Sequence, residues 1–493
     1  MNKKVIIIGS GIGGLSASIY LANAGFKVQV FEKNEKAGGK VNSLQLGDYS
    51  FDMGPSLITM PFVFENLFKS VGEDIGDYLQ FQKLDTICKY FWEDGISISA
   101  SSKIEKMQSE IKKISESDIF SYPEFLEYSK KIYDFSKELF LFEPFQESDV
   151  ILKVSNLKKL FEIRKLDAFR TVNEAVESYF DSDKVQQIFN RYATYNGSNP
   201  FVAPATLNII PWVEYGIGGY YIKGGIYKLA EALEQLAKKL GVQFQYNTKV
   251  EKILTDNKRA IGIKAGLEYY SDYVLANSDV VETSRTLTDE LPNKKLEKLE
   301  SSLSGMVFLW GIKDKFDRLE HHNIIFTENY KNEFNQLFNT LEAPDDPTVY
   351  ISITSKKDRS HAPNNCENWF VLLNMPYDNG QDWESLKQVM KSKIIRKLKK
   401  IGIDINGKIE EETILSPKDL HSMYLSNKGS IYGISSNNKY SAFLRPQNRS
   451  KDIKNLYFAG GSSHPGGGVP LVALSGKIAA ELIIKKESLK LNR

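Results

Sequence analysis

The densest concentration of chemistry-bearing residues lies within the first forty positions. Gly9-Ser10-Gly11-Ile12-Gly13-Gly14 is a GxGxxG turn, and Glu32 follows 21 residues after Gly11. In such a turn Gly9 permits the tight bend, Gly11 lets the backbone approach a pyrophosphate, and Gly14 allows close helix–strand packing. Free N–H groups and the positive end of a helix dipole then face the phosphates. An acid at the position of Glu32 accepts hydrogen bonds from ribose hydroxyls. This is dinucleotide-binding chemistry, and it demands strand, turn, helix, strand and acid in that order. Val5-Ile6-Ile7-Ile8 is a β-branched run suited to a buried parallel strand. Leu15 to Ala24 has helical composition with Gly25 as its stop, and Lys27 to Phe31 reads as the second strand.

Two further glycine groups extend the pattern. Gly38-Gly39-Lys40 follows directly after the acid, a placement typical of FAD rather than NAD enzymes of the glutathione-reductase-like class. The usual form there is Gly-Gly-Arg. Lys40 supplies the charge for a phosphate without the bidentate fork. Near the other end, Asn455 to Gly461 reads as a strand ending in Gly460-Gly461. The glycine- and proline-rich loop Ser462 to Pro470 and a helix from Leu471 to Ile484 follow. Only one GxGxxG turn in the chain has a strand and a helix around it, so a separate NAD domain is not expected.

These segments resemble the bacterial-type phytoene desaturase family of FAD-dependent carotenoid desaturases. The resemblance is carried by the N-terminal fingerprint, Phe51-Asp52-Met53-Gly54-Pro55-Ser56, Gly218 to Gly225, Phe443-Leu444-Arg445-Pro446 and His464 to Pro470. Phe51 to Pro61 and Phe91 to Gly95 are most similar to the hydroxycarotenoid 3,4-desaturases, which act on a hydroxylated acyclic end such as that of 1'-hydroxy-γ-carotene. The resemblance implies an α/β fold: a Rossmann-like FAD-binding domain with an inserted α+β substrate domain. It divides the chain into 1–85, 205–290 and 430–493 for FAD and 86–204 and 291–429 for substrate. It implies FAD contacts from Gly9, Gly11, Ile12, Gly13, Gly14, Glu32, Lys33, Gly39, Lys40, Gly54, Pro55, Ser56, Val250, Asn277, Gly460, Gly461, Val469 and Pro470. Desaturation by hydride loss to a flavin needs few catalytic side chains. Asp52, His464 and Arg445 are the candidates, each with a structural role as its alternative.

Composition narrows the field. Lys plus Arg number 64 against 62 acids, which argues against a nucleic-acid partner. Cys88 and Cys366 form no metal or disulfide pattern, and no HExxH motif occurs, so no metal site is expected. No apolar run approaches the roughly 18 residues of a membrane span. Ile151 to Arg170 holds six basic and two acidic residues among apolar ones, a pattern compatible with an amphipathic helix on a membrane surface. The expected partners are a carotenoid, the membrane surface, and oxygen or a quinone as final electron acceptor. The expected location is cytoplasmic, at the inner face of the cell membrane. The alternatives are a phytoene desaturase or carotene isomerase of the same family and, from a different class, a non-catalytic prenyl-lipid carrier on the same scaffold.

Overall fold

A computed structural model describes residues 3–137, 141–142, 166–288, 290, 296–437 and 445–491. Most of the basic segment, 151–165, and Phe443-Leu444 lie outside the described residues. The β-branched run forms the strand Lys4–Ile8 at the centre of a five-stranded sheet. Its neighbours on one side are Tyr273–Ala276 and then Leu456–Phe458; on the other they are Lys27–Phe31 and then Gln243–Gln245. Every pairing is parallel. The sheet therefore draws strands from three separated stretches of chain. Val5, Ile7, Val30 and Leu275 are fully buried, as a sheet covered on both faces requires.

The helix Ile12–Asn23 starts inside the glycine motif, three residues before the position that composition suggests. Glycine has low helix propensity, yet Gly13 and Gly14 stand in this helix where a side chain would collide with Asn277 and Gly9. A Cβ on Gly14 would lie 2.2 Å from the Gly9 carbonyl oxygen. The last helix runs Val469–Leu491, seven residues beyond the expected end at Ile484. Its extra turns are held by side chains: Tyr273 donates to Glu487, and Lys486 Nζ donates to Asn455 Oδ1 at 2.7 Å. The two helices cross tightly, with Ser16 Oγ donating to the Ala473 carbonyl at 2.8 Å.

The second body is a seven-stranded sheet in the order Ile409–Leu415, Ser304–Ile312, Glu367–Met375, Val349–Ser352, His322–Ile325, Thr86–Phe91, Ser97–Ser101. One face packs Phe308, Trp310, Trp369 and Val371 under the helix Trp383–Lys400. On the opposite face, register places Tyr90, Ile324, Tyr350 and Leu372 in one row. Tyr49, Phe51 and Met53, from the hairpin that follows the cofactor motif, pack against Val307, Leu309 and Phe370 of that face. The hairpin thus joins the two bodies.

The stretch after residue 205 packs on both bodies. Tyr215 is buried in an aromatic cluster with Tyr122, Phe189 and Tyr192, on the substrate side. Glu214 is fully buried there and pairs with Arg191 at 2.7 Å. A buried charge sits with its partner, while Val213 and Ile217 of the same stretch pack on the cofactor-side core. Among the described residues, no helix is long and apolar enough to cross a membrane.

Candidate active site

The glycine motifs converge at the carboxyl ends of the parallel strands, where ligands bind in open α/β sheets. Gly9 has φ +90°, a conformation open to glycine. Gly11 caps the helix Ile12–Asn23 with extended backbone and no side-chain hydrogen bond, and its first turn holds no acid. The first N–H groups of that helix have no intrahelical acceptor. Gly39 lies against Gly11: a Cβ on Gly39 would sit 3.1 Å from the Gly11 Cα. Gly13 faces Gly460, with 3.2 Å from a Cβ there to the Gly460 nitrogen. Gly54 is pressed on Lys40, whose carbonyl oxygen a Cβ would approach to 2.1 Å. The structure thus brings Gly9, Gly11, Ile12, Gly13, Gly14, Gly39, Lys40, Gly54, Asn277 and Gly460 together from both ends and the middle of the chain.

Asn277 sits in the mouth of this cradle. A Cβ on Gly13 would come within 2.5 Å of its Oδ1, and one on Gly11 within 2.9 Å of its Nδ2. That Oδ1 is buried without a hydrogen-bond partner. Glu32 is 5% exposed at the end of its strand, and accepts from the Ser10 N–H at 2.8 Å, the Ser10 hydroxyl at 2.9 Å and the Asn34 N–H at 2.9 Å. Lys40 Nζ donates to the carbonyls of Ser430 at 2.9 Å and Ile431 at 2.7 Å. An ammonium carries three N–H groups, so one is left for a further acceptor. Burial pulls the Lys40 ammonium down to about 8, opposed by the Asp279 carboxylate, which burial raises. These features fit a dinucleotide: orphaned donors, a capless helix start, a cation and glycines where side chains would collide.

The C-terminal loop closes the other side. Gly468 has φ +104°, and a Cβ there would meet nothing within 4 Å, so its backbone faces open space. Val469 and Pro470 then begin the last helix. Arg445 is 3% exposed; its guanidinium donates to the Gly461 carbonyl at 3.0 Å and to Asn196 Oδ1 at 2.8 Å. Burial lowers its pKa to about 10, which leaves it protonated at neutral pH. It ties the cofactor loop to the inserted body. His464 is buried; its N–H donates to Pro446 and its carbonyl accepts from Asn448 Nδ2 at 2.9 Å. Asp52 accepts the Ile226 N–H at 3.0 Å and the Tyr227 N–H at 3.4 Å, at the start of the helix Tyr227–Lys239. Burial pushes its carboxyl up to about 6. Lys33 and Val250 lie on the Glu32 side of the cradle, where the Thr248 N–H donates to the Glu32 carbonyl at 2.8 Å. Lys33 Nζ donates to the Ser422 carbonyl at 2.9 Å, and Val250 is buried beside Ile6, Ile8 and Phe31.

Sequence reasoning passed over three groups. Ser10 is the middle of the fingerprint, yet it holds Glu32. Gly476 lies in a helix interior, which by itself signals a packing need; a Cβ there would stand 2.2 Å from the Gly13 carbonyl oxygen. Pro55 and Ser56 continue from Gly54, and the Ser56 hydroxyl shares a hydrogen bond with Tyr350. Tyr350 carried no sequence signal because only tertiary packing brings it to that loop. A separate depression of about 230 Å³, lined by Lys3, Arg259, Asp272 and Glu487, lies at the amino ends of the strands, away from the cradle.

Comparison with known proteins agrees with this geometry. The family described as flavin containing amine oxidoreductase matches residues 12–484. The chain is 42% identical over 485 residues to a 1-hydroxycarotenoid 3,4-desaturase of Flavobacterium sp. (strain P99-3), covering 98% of this chain and 99% of the relative. It is 35% identical over 497 residues to a 4,4'-diapolycopene oxygenase of Methylomonas sp, covering 98% of each. Its fold is shared with an oxidoreductase from Methanosarcina mazei, at a TM-score of 0.67, 16% identity and coverage of 97% and 100%. It is shared also with a putrescine oxidase variant, at a TM-score of 0.65, 12% identity and coverage of 98% and 99%. A dinucleotide cradle built jointly by both chain ends, on a scaffold matched over nearly its whole length, places this chain in the flavin containing amine oxidoreductase family as an FAD-dependent oxidoreductase.

Proposed function

We propose that this chain is a carotenoid desaturase that introduces the 3,4 double bond at a 1-hydroxylated acyclic end of a C40 carotenoid. The observation that carries the reading is the 42% identity to the 1-hydroxycarotenoid 3,4-desaturase across the full chain, together with the fit of the cradle to FAD. In this reading the helix start at Ile12 to Gly14 and the spare N–H of Lys40 hold the phosphates. Glu32, fixed by Ser10, takes the ribose hydroxyls, and backbone near Val250 and Lys33 borders the adenine side. Gly54, Pro55, Ser56, Gly460, Gly461, Val469 and Pro470 flank the flavin ring. Bound FAD would supply the two-electron oxidant for C–H bonds that no carbonyl activates.

The chain's own part is orientation and exclusion of water. In this reading the part of the Tyr350-bearing sheet face beyond the cover of the hairpin, where Leu372 is only partly buried, offers hydrocarbon to a polyene. Water kept from that face cannot intercept a cation formed on the substrate. Asp52 spends both oxygens on a helix start, so its part is to position the helix Tyr227–Lys239 beside the cofactor loop.

A substrate dissolved in lipid calls for one-sided docking on the membrane, here at its inner face. Phe120 and Phe169 expose 77% and 75% of their surface, and Phe169 belongs to the basic segment 151–170. Reoxidation by oxygen or a membrane quinone completes the cycle. The test is co-expression with pathways that make 1-hydroxylated and non-hydroxylated acyclic carotenoids, followed by pigment analysis. Conversion of the hydroxylated pigment to its 3,4-desaturated product is expected. Products desaturated only from phytoene, or oxygenated at the chain end, would overturn the substrate assignment. Purified protein that carries no flavin and converts no pigment would instead match a lipid carrier.

A further inference from the structure

On the sheet face that fronts the cofactor loop, a line of uncharged hydrogen-bonding groups runs from the loop to a buried histidine, beside Tyr90, whose hydroxyl accepts from Arg191 Nε at 2.8 Å. Ser56, two residues beyond Gly54, shares a hydrogen bond with the Tyr350 hydroxyl. Tyr350 in turn lies 2.8 Å from His322 Nδ1, with the two rings near parallel at 6.0 Å. Ser56 and Tyr350 are only partly buried, whereas His322 behind them is 2% exposed. The loop bearing Ser56 is pinned at both ends. Gly54 is packed on Lys40, and Ile58 exchanges N–H···O bonds of 3.0 and 2.8 Å with Tyr220.

The protonation pattern follows from the partners. His321, whose ring centre lies 4.1 Å from that of His322, has Nδ1 at 2.9 Å from the Ile353 carbonyl. A carbonyl only accepts, so Nδ1 carries the proton of a neutral ring and Nε2 is a bare acceptor. Burial holds both imidazoles neutral, His321 at about 4 and His322 well below its ordinary value. The line Ser56–Tyr350–His322 is therefore hydroxyl, hydroxyl and neutral imidazole. Each member can donate or accept, and the direction of the whole line can reverse. A carboxylate ligand would call for a cation here and an amine for an anion or an aromatic cage. A reversible neutral line suits an alcohol, which also donates and accepts.

Position supplies the second argument. In a 1-hydroxylated chain oxidised between C3 and C4, a single carbon separates the hydroxyl-bearing carbon from the reacting bond. The alcohol must therefore bind beside the flavin and not at a remote end of the site. Ser56 meets that requirement through its place in the Gly54-Pro55-Ser56 turn.

Resting on the substrate reading above, we propose that Ser56 and Tyr350 receive the hydroxyl of the carotenoid end group, with His322 as the positioning residue that orients Tyr350. The experiment compares kcat/KM for a 1-hydroxylated acyclic carotenoid and its non-hydroxylated counterpart, each supplied in liposomes. It is repeated as equilibrium binding of both pigments to dithionite-reduced enzyme, where no turnover occurs. The wild-type protein should prefer the hydroxylated pigment in both. Tyr350→Phe and Ser56→Ala should each lower the preference about tenfold, the worth of one hydrogen bond. His322→Leu should do the same, and His322→Asn, which keeps a polar atom near the Nδ1 position, should restore it. Flavin occupancy and the thermal midpoint report folding, and Ser56→Ala is the smallest change should Tyr350→Phe fold poorly. A wild-type preference left intact in folded Tyr350 and Ser56 variants would overturn the subsite while sparing the substrate reading. A wild-type enzyme indifferent to the hydroxyl would overturn both.

Discussion

Asp52 shows how one residue can look catalytic in sequence and act otherwise in space. Its place in the Phe-Asp-x-Gly-Pro segment put it beside the flavin loop, but its oxygens hold the N–H groups of Ile226 and Tyr227. Burial raises its carboxyl from 3.8 to about 6. The folded protein thus holds this proton more tightly than the unfolded chain does. The stability it contributes is complete below about pH 4 and is lost as pH rises through about 6. Asp52→Asn should therefore show a smaller loss of stability between pH 4 and pH 7 than wild type, by on the order of 2–3 kcal/mol. Denaturant titrations at several pH values measure it, and parallel pH profiles of the two proteins would refute the assignment. Lys40 illustrates a second residue-scale point. It replaces the usual arginine, and its two carbonyl partners, Ser430 and Ile431, belong to the C-terminal third of the chain. Its point charge clamps the far loop and leaves one N–H spare, which the proposed reading gives to a phosphate.

At the scale of elements, the first and last helices cross at a joint with no slack. Gly13 and Gly476 meet there with no room for a methyl group, since a Cβ on Gly476 would lie 2.2 Å from the Gly13 carbonyl oxygen. Backbone cannot yield as a side chain can, so Gly476→Ala should cost about 1–3 kcal/mol. It should also loosen FAD if the displaced turn is the one that holds the phosphates, as proposed. Thermal unfolding and the flavin-to-protein absorbance ratio check the two effects. An unchanged midpoint with full flavin content would show that the joint relaxes freely. The hairpin Ser43–Leu46 and Tyr49–Asp52 is the other decisive element. It leaves the cofactor motif, lays Phe51 and Met53 on the seven-stranded sheet, and ends in the loop that carries Ser56.

Across the whole molecule, three stretches of chain must assemble before the cradle exists. Strands from residues 4–31, 243–276 and 456–458 share one sheet, and Arg445 and Asn196 tie that sheet's last loop to the inserted body. A ligand that binds only this assembled state stabilises it by mass action, by about 2.7 kcal/mol at a free concentration one hundred times its dissociation constant. Protein stripped of flavin should thus melt lower than the holoprotein, and its midpoint should climb with the logarithm of added FAD. A midpoint indifferent to FAD would mean that the cradle does not grip the cofactor.

The sequence by itself determined the local chemistry of the cofactor half. The strand Val5 to Ile8, the glycine turn, Glu32 and the C-terminal glycine loop were legible because each depends on neighbours a few residues away. Glycines that permit a turn and β-branched residues that fill a parallel strand announce themselves without knowledge of the rest. The pairing of Glu214 with Arg191, the closeness of Gly13 to Gly476, and the line Ser56–Tyr350–His322 were decided only by tertiary structure. Each joins residues far apart in the chain, and at each position the residue type alone is ordinary. A buried glutamate, a helical glycine and a strand tyrosine acquire their roles from what folding sets against them: Arg191, the Gly13 carbonyl and the Ser56 hydroxyl.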